Sequence, residues 1–203
     1  MQPTNGELAA SVCYRKKGRR NSVLACDSRL IPIGTGRSAS AFRIQDSNTV
    51  MKVYYPDSLH IAEEEAAIYR KLEQVSFFPT LHDAGTNYIV MDYVEGRTFF
   101  QCLTGGEKIS AKSITDVDQA LREVRRLELN PSDIHLHNLI LTPDGSVKMI
   151  DPARFNQEKN CTQWDDLRAA YYKYYSKKLF PKRIPAVLLE SVRALYQRNF
   201  LHV

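Results

Sequence analysis

The sequence has few of the features that mark secreted or membrane-spanning proteins. Its 203 residues include only four cysteines, Cys13, Cys26, Cys102 and Cys161, and no two are close enough to form a metal-binding or redox pair. Scattered thiols are typical of a reducing compartment. The chain begins without the charged-then-apolar pattern of a signal peptide, and no apolar run approaches the ~20 residues that a bilayer span requires. We therefore expect a cytoplasmic protein with no membrane span.

Internal repeats and long low-complexity linkers are also lacking. The composition, 43% hydrophobic and 25% charged, is that of an ordinary globular protein, and a chain of this length can bury a core without disulfides or metals. The net charge of +5 slightly favours acidic partners such as a nucleotide, nucleic acid or an anionic membrane. Residues 12–26 predict a hairpin whose basic tip, residues 15–20, is either a solvated turn or a site for nucleic acid or acidic lipid.

Short β-like segments dominate the first half of the chain and helical segments the second. The predicted strands are residues 30–33, 41–45, 49–55, 81–84 and 88–94, with a helix at 61–74 inserted among them. After Gly96 we expect helices at 114–127, 164–178 and 186–199, and a hairpin of residues 139–141 and 147–150. This order predicts an α+β fold with two lobes, the first spanning residues 12–94 and the second residues 95–203.

One charged pair is predicted inside the first lobe. Glu65 lies in the middle of the apolar stripe of the first helix, and a buried carboxylate costs ~2–7 kcal/mol unless it is paired. Lys52 is the obvious partner, because alternation places it on the same face of its strand as Val50 and Tyr54. The alternative is an edge strand with Lys52 in solvent and Glu65 at the rim of the stripe.

A glycine-containing segment, residues 33–42, lies between the first two strands of the predicted sheet. Gly34, Thr35 and Gly36 open it, and glycine lets backbone N–H groups approach phosphates closely. The segment is not a Walker motif, because no Gly-Lys-Ser/Thr follows, and not a Rossmann turn, because a strand follows it rather than a helix. Taken alone, a Gly-x-Gly is more often a simple turn.

Three oxygen-bearing side chains surround the second hairpin. If its turn is Asp144-Gly145, opposite residues sum to 289 and Asn138 faces Asp151, although a longer loop would shift this pairing by one residue. A carboxylate beside an amide oxygen suits Mg²⁺, which keeps several waters and phosphate ligands. Asp133 is close enough in sequence to share the same cleft. The alternatives are a transition-metal site formed by His135 and His137, and polar groups that only cap strands and turns.

Taken together, these motifs resemble the protein-kinase-like superfamily. Glycine loop, strand lysine, helix glutamate, hinge, catalytic loop and metal-binding aspartate follow one another in that family's order, across roughly residues 31–154. The resemblance implies a two-lobed fold, with a five-stranded antiparallel N-lobe that carries one helix and a reduced, mostly helical C-lobe. The chain as a whole looks most like the minimal serine/threonine-kinase-like proteins of bacteria.

The resemblance also implies roles for individual residues, with ATP and Mg²⁺ as cofactors. Gly34, Thr35 and Gly36 would cover the phosphates, and Lys52 would bind them while paired with Glu65. Asp133 would be the catalytic aspartate that orients or deprotonates the acceptor hydroxyl. Met91 would occupy the gatekeeper position of the nucleotide site, and Asp92, Tyr93 and Val94 would form the hinge against adenine. Asn138 and Asp151 would bind the magnesium ion.

The sequence departs from the family at the catalytic loop and after it. Pro131-Ser132 replaces the usual His-Arg, Pro152-Ala153 replaces Phe-Gly, and only 52 residues follow Asp151. The Asp133-x-His135 pattern is similar to RIO kinases, lipopolysaccharide sugar kinases and the aminoglycoside and choline kinases. We expect phosphotransfer from ATP to a hydroxyl of a protein Ser/Thr or of a small molecule. The alternatives are a pseudokinase-like module that binds nucleotide or a partner without turnover, and a nucleic-acid-binding protein that uses the basic tip.

Overall fold

The chain divides into two compact units, Met1–Tyr93 and Val94–Val203. The structure is a computed structural model, and it describes residues 3–18, 20–159 and 161–197. Each unit contains α-helices and an antiparallel sheet, which confirms the predicted α+β class. No helix within these residues is long and apolar enough to cross a membrane.

The first unit is built on a five-stranded antiparallel sheet, and all five strands were predicted. A helix, α1 (Asn5–Ala10), and a hairpin precede the sheet, and a second helix, α2 (Leu59–Lys71), follows its third strand. The spatial order of the sheet is β3-β4-β5-β7-β6. The strands of this unit are β1 (Cys13–Lys17), β2 (Arg20–Ala25), β3 (Leu30–Thr35), β4 (Ala39–Ile44), β5 (Thr49–Tyr54), β6 (Leu81–Ala84) and β7 (Tyr88–Asp92).

Both faces of this sheet are covered, because successive side chains along a strand point to opposite faces. On one face Val50, Tyr54 and Ile89 pack against α2. On the other face Phe42 and Met51 pack with residues of α1 and of the β1–β2 hairpin. Helix α2 therefore packs on the sheet face that carries Val50 and Tyr54 of β5. Lys52 lies on the same face of β5, between these two residues.

Several element boundaries in the first unit differ from the prediction. The expected loop at residues 34–40 narrows to a short turn, since β3 continues through Thr35 and β4 begins at Ala39. The pairing shifts register between Pro32 and Gly34, and such a bulge accommodates glycine and the ring of proline, which lacks an N–H. Helix α2 ends at Lys71 instead of residue 74, so Val75 is buried in the turn that follows the helix.

The second unit combines four helices with a small three-stranded sheet of order β10-β9-β8, counting only the described residues. The predicted hairpin and helices are present, whereas β8 and α3 were not predicted. Thr98 caps α3 through a reciprocal capping box with Gln101, and Gly106 ends it in the left-handed conformation. The elements are β8 (Arg97–Thr98), α3 (Phe99–Gly105), α4 (Ala111–Arg126), β9 (Leu139–Leu141), β10 (Val147–Met149), α5 (Gln163–Ala170) and α6 (Ala186–Gln197).

The long helix predicted at residues 164–178 is interrupted. Helix α5 passes into a π-helical turn at Tyr171–Tyr175. The hydroxyl of Tyr171 donates to the Ile109 carbonyl at 3.3 Å, and the Tyr175 hydroxyl accepts from the Ile109 N–H at 3.2 Å. Both tyrosines are thereby bound to one loop residue, and the wider turn accompanies this arrangement. The last two residues predicted for the final helix, 198 and 199, lie outside the described residues.

Candidate functional site

Lys52 and Glu65 form the ion pair predicted inside the first unit. The Lys52 Nζ atom lies 2.8 Å from Glu65 Oε1 and 2.7 Å from Oε2. The Glu65 side chain is completely buried and the Lys52 side chain is 15% exposed. A carboxylate buried to this degree needs hydrogen bonds to its charged form, and the lysine supplies two. Lys52 therefore does not lie in open solvent, and its ammonium group is held at the edge of the core.

Tyr54 completes this cluster and was not predicted as part of it. Its hydroxyl donates to Glu65 Oε2 at 2.6 Å, and the Lys52 ammonium lies 5.5 Å from the centre of its ring. The signal was present in the sequence, because residues two apart on a strand share a face. Glu65 thus accepts hydrogen bonds from both polar residues on that face of β5, Lys52 and Tyr54, which fixes the position of the carboxylate relative to the lysine.

The glycine segment forms a thin, exposed turn between β3 and β4. The Gly36 N–H donates to the Ala39 carbonyl at 2.8 Å, and the Tyr55 hydroxyl donates to the carbonyls of Gly36 and Ala39 at 3.1 Å each. Gly34 and Gly36 are exposed, and a Cβ atom at Gly34 would meet nothing within 4 Å. Tyr55 is fully buried, so its hydroxyl fixes the turn to the core of the unit, while the glycines of the turn stay exposed.

The predicted hinge residues form the end of β7 and the segment after it. Met91 is buried in the core that packs against α2. The Asp92 carboxylate accepts from the Thr80 N–H at 2.8 Å and lies 2.7 Å from His82 Nε2. Burial alone would raise the pKa of Asp92, but the hydrogen bonds to Thr80 and His82 outweigh it, so the pKa lies below its ordinary value. The N–H of Tyr93 donates to the Asn48 carbonyl at 2.8 Å. Asp92 and Tyr93 are therefore held by bonds inside the first unit, and Val94 begins the second unit.

Asp133 lies in the second unit, in an unusual backbone conformation. Its φ is +60° and that of Asp151 is +61°, two of only four positive values at non-glycine positions in the described residues. Such conformations are sparsely populated and concentrate at functional sites. The Asp133 carboxylate lies 3.3 Å from Arg154 Nε and 4.0 Å from His135 Nε2. Arg154 was missed at the sequence level, since one exposed arginine carries no pattern of its own.

The second hairpin has the longer turn that the sequence left open, so the pairing of Asn138 with Asp151 expected for a two-residue turn is shifted by one residue. Paired positions sum to 288, so Asn138 is opposite Ile150, whose N–H donates to the Asn138 carbonyl at 3.0 Å. The cause is a longer turn, residues 143–145 with Gly145 at φ +81°, instead of the two-residue turn assumed. Asn138 donates from Nδ2 to the Asp133 carbonyl at 3.3 Å. This hydrogen bond uses the amide nitrogen of Asn138, whereas a metal ion would bind the amide oxygen, so the two interactions do not compete for the same atom.

The donor set fits a magnesium ion better than a transition metal. Asn138 and Asp151 carry oxygen ligands at neighbouring positions of the chain, and a hard cation that retains water and phosphate ligands prefers oxygen ligands. His137 Nε2 lies 3.4 Å from Glu190 Oε1, and its ring stacks on Phe100 at 4.2 Å. Within residues 3–18, 20–159 and 161–197, no group of three or more His, Cys, Asp or Glu is arranged to hold a metal ion. The alternative transition-metal site of His135 and His137 therefore has no third ligand among the described residues.

Each unit brings together some of the predicted residues that it contains. In the first unit, Lys52 is bonded to Glu65 on the sheet face that packs against α2. In the second unit, Asn138 bonds to Asp133 through the Asp133 carbonyl and lies beside the segment that carries Asp151. Asn130 ties the two segments together, because its N–H donates to the Phe155 carbonyl at 2.8 Å and its Nδ2 to the Gln157 carbonyl at 2.7 Å.

Comparison with known proteins identifies the family. No protein-family model matches the chain. It is 46% identical over 195 residues to the Bacillus subtilis (strain 168) protein named "Putative serine/threonine-protein kinase YrzF", a match that covers 95% of this chain and 91% of the relative. It is also 25% identical over 138 residues to 3-phosphoinositide-dependent protein kinase 1 of Arabidopsis thaliana, covering 61% of this chain but 28% of that kinase. The chain therefore belongs to the serine/threonine-protein-kinase-like family that includes the B. subtilis protein.

Proposed function

We propose that this protein is an ATP- and Mg²⁺-dependent phosphotransferase that acts on a hydroxyl group, of a protein Ser/Thr or of a small molecule. The observation that carries the proposal is the buried ion pair of Lys52 with Glu65, an arrangement with a high desolvation cost that holds one ammonium group in a fixed position. Membership of a kinase-like family supports it. We place the reaction in the cytoplasm on the dispersed cysteines of the sequence.

In the first unit, Lys52 would bind the α- and β-phosphates. The exposed backbone of Gly34, Thr35 and Gly36 would bind phosphate oxygens through N–H groups. The backbone of the segment from Met91 to Val94 would contact adenine. Because the N–H groups of Asp92 and Tyr93 already donate to carbonyls of Thr80 and Asn48, we expect Val94 to supply the backbone donor.

In the second unit, Asn138 and Asp151 would hold Mg²⁺. When bound, the ion would neutralise charge on the phosphates, which is the main demand of phosphoryl transfer. Asp133 would accept the proton of the acceptor hydroxyl as its oxygen forms a bond to the γ-phosphorus and the bond to ADP breaks. The contact between Asp133 and Arg154 would have to yield or rearrange to admit that hydroxyl.

Two measurements test the proposal. MgATP should raise the melting temperature of the protein, and both Lys52→Met and Asp151→Asn should reduce that shift. Label from [γ-³²P]ATP should move to an acceptor, and Asp133→Asn should lower the rate at least 100-fold while MgATP still binds. Asp165→Asn is the matched control, because this aspartate of the same unit is exposed and should leave both readouts unchanged. Absence of any MgATP-dependent shift in the unmodified protein would refute the proposal.

The second candidate is a pseudokinase-like module that binds nucleotide or a partner without turnover. It is favoured by the pairing of Asp133 with Arg154, together with the unusual Pro131-Ser132 and Pro152-Ala153. MgATP binding with neither phosphate transfer nor ADP formation, across protein and small-molecule acceptors, would select this candidate. ADP formation that depends on Asp133 would reject it.

A further inference from the structure

The second unit contains a cavity of about 320 Å³ next to the loop that carries Asp133. Protein interiors are close-packed, and voids larger than a water molecule are few. This volume lies in the range of small-ligand pockets, roughly 300–1,000 Å³. The cavity is bounded by α5, the π-helical turn and α6 on one side and by α3, the start of α4 and residues 135–137 on the other. It is therefore large enough to hold a small molecule.

Apolar and aromatic side chains make up most of the wall. Ile114, Trp164, Leu167 and Tyr171 contribute from α4, α5 and the π-helical turn, and Leu189 contributes from α6. Ligand pockets are lined mainly by side chains of this kind, which bind the apolar groups of ligands. A peptide backbone would have to bury N–H and C=O groups there without partners. The wall is therefore suited to an alkyl or aromatic group.

The polar part of the wall includes the catalytic-loop histidines. His135 and His137 both line the cavity. His135 lies between the cavity and Asp133, because its Nε2 atom is 4.0 Å from the Asp133 carboxylate. Because His135 lines the cavity and also lies beside Asp133, the cavity ends close to the proposed catalytic aspartate.

We propose that the cavity binds the apolar part of the phosphate acceptor, and that this acceptor is a small amphiphilic alcohol. The inference rests on the proposed phosphotransferase function. The alkyl or aromatic body occupies the cavity, and the hydroxyl extends past His135 to Asp133. Transfer then forms a bond from the alcohol oxygen to the γ-phosphorus, releases ADP and passes the hydroxyl proton to Asp133. The products are an alkyl phosphate and ADP.

Binding is testable without ATP, because the chain has one tryptophan and Trp164 lines the cavity. We would titrate the protein with linear primary alcohols of four to twelve carbons and follow Trp164 fluorescence. Affinity should rise about fourfold for each added methylene, the equivalent of about 0.8 kcal/mol per buried CH₂, and then level off when the cavity is full. A fluorescence change that never saturates, or affinity that does not depend on chain length, would overturn the proposal.

Neighbouring alanines of α5 provide a matched pair of variants. Ala170 lines the cavity and Ala169 is exposed. Ala170→Phe should fill the cavity and weaken binding of the tightest alcohol at least tenfold, whereas Ala169→Phe should leave it unchanged. If circular dichroism shows that Ala170→Phe does not fold, Ala170→Leu places a smaller apolar side chain in the same cavity. Equal affinity in a folded cavity variant and in Ala169→Phe would place the alcohols elsewhere and overturn the assignment.

Transfer is measured separately, with labelled ATP and the tightest-binding alcohol. Formation of labelled alkyl phosphate, lost in Ala170→Phe and retained in Ala169→Phe, supports the acceptor role. Label that moves to protein Ser/Thr alone overturns that role even if the alcohol binds. MgATP binding without alcohol binding refutes this inference and leaves the proposed function standing. Alcohol binding without MgATP binding refutes the proposed function, and with it the acceptor role, while the ligand site remains.

Discussion

Removal of the Lys52 ammonium should strongly destabilise the first unit. Lys52→Met keeps the aliphatic stem and leaves Glu65 buried with no cation. Breaking a buried ion pair at one partner costs about 3–5 kcal/mol. The Tyr54 hydroxyl remains bonded to Glu65, and the lysine side chain is 15% exposed, so water can reach the space it vacates. The remaining hydrogen bond and the access of water both reduce the loss, so we expect the free energy of unfolding to fall by about 3 kcal/mol.

The measurement must report on the first unit, because Trp164 lies in the second. Hydrogen exchange of the amides in α2 and β5 meets this need, since it measures the local free energy of opening. A loss of about 3 kcal/mol corresponds to exchange about 100-fold faster. A buried carboxyl can lose its charge by taking up a proton, so the deficit should be smaller at pH 5 than at pH 8.

A double variant separates the missing cation from the stranded carboxylate. Replacement of both members of a buried pair by apolar residues is often neutral or stabilising. Lys52→Met/Glu65→Leu should therefore recover most of the stability lost in Lys52→Met, with no recovery of nucleotide binding. Tyr54→Phe, which removes one hydrogen bond to a charged group, should cost about 1.5–3 kcal/mol. A loss below about 1 kcal/mol in Lys52→Met, with no recovery in the double variant, would refute the argument.

Three further predictions concern stability. Asp118→Ala should cost the second unit about 1–3 kcal/mol and shift Trp164 emission to the red, because Asp118 accepts from the indole N–H at 2.7 Å. Asp116→Ala, which removes an i,i+4 pair with the exposed Lys112, should cost at most about 0.5 kcal/mol by urea unfolding. Gly96→Ala, where φ is +143° and a Cβ would overlap the Leu141 carbonyl, should lower the melting temperature more than Gly145→Ala, whose Cβ would meet nothing within 4 Å. Burial raises the pKa of Tyr14 to about 12, so its contribution to stability is complete below about pH 10 and is lost as pH rises towards 12. The free energy of unfolding, measured from pH 9 to 11.5, should fall less steeply with rising pH in Tyr14→Phe than in the unmodified protein.

The sheet and the buried ion pair were predictable because their signals are local. Alternation placed Lys52 on the face of Val50 and Tyr54, and helical spacing placed Glu65 on a buried stripe, so the two faces had to meet. The hairpin register was not predictable in the same way. Thr142 bonds to Ser146 and Asp144 inside the turn, and these side-chain bonds, which no strand pattern encodes, select the longer loop. Helix α3 was missed because it is only seven residues long, although Thr98 and Gln101 form a readable capping box.

The departures from the kinase pattern around Asp133 are compensated by contacts from later in the chain. Ser132, in the place of the usual arginine, is buried and donates to the Asn130 carbonyl at 3.1 Å. Asn130 in turn binds the segment after Asp151, and Arg154 of that segment reaches Asp133. The arginine that contacts the aspartate thus follows the predicted metal ligand instead of preceding the catalytic loop. Contacts within the second unit therefore hold Asp133 in the absence of the family's His-Arg pair.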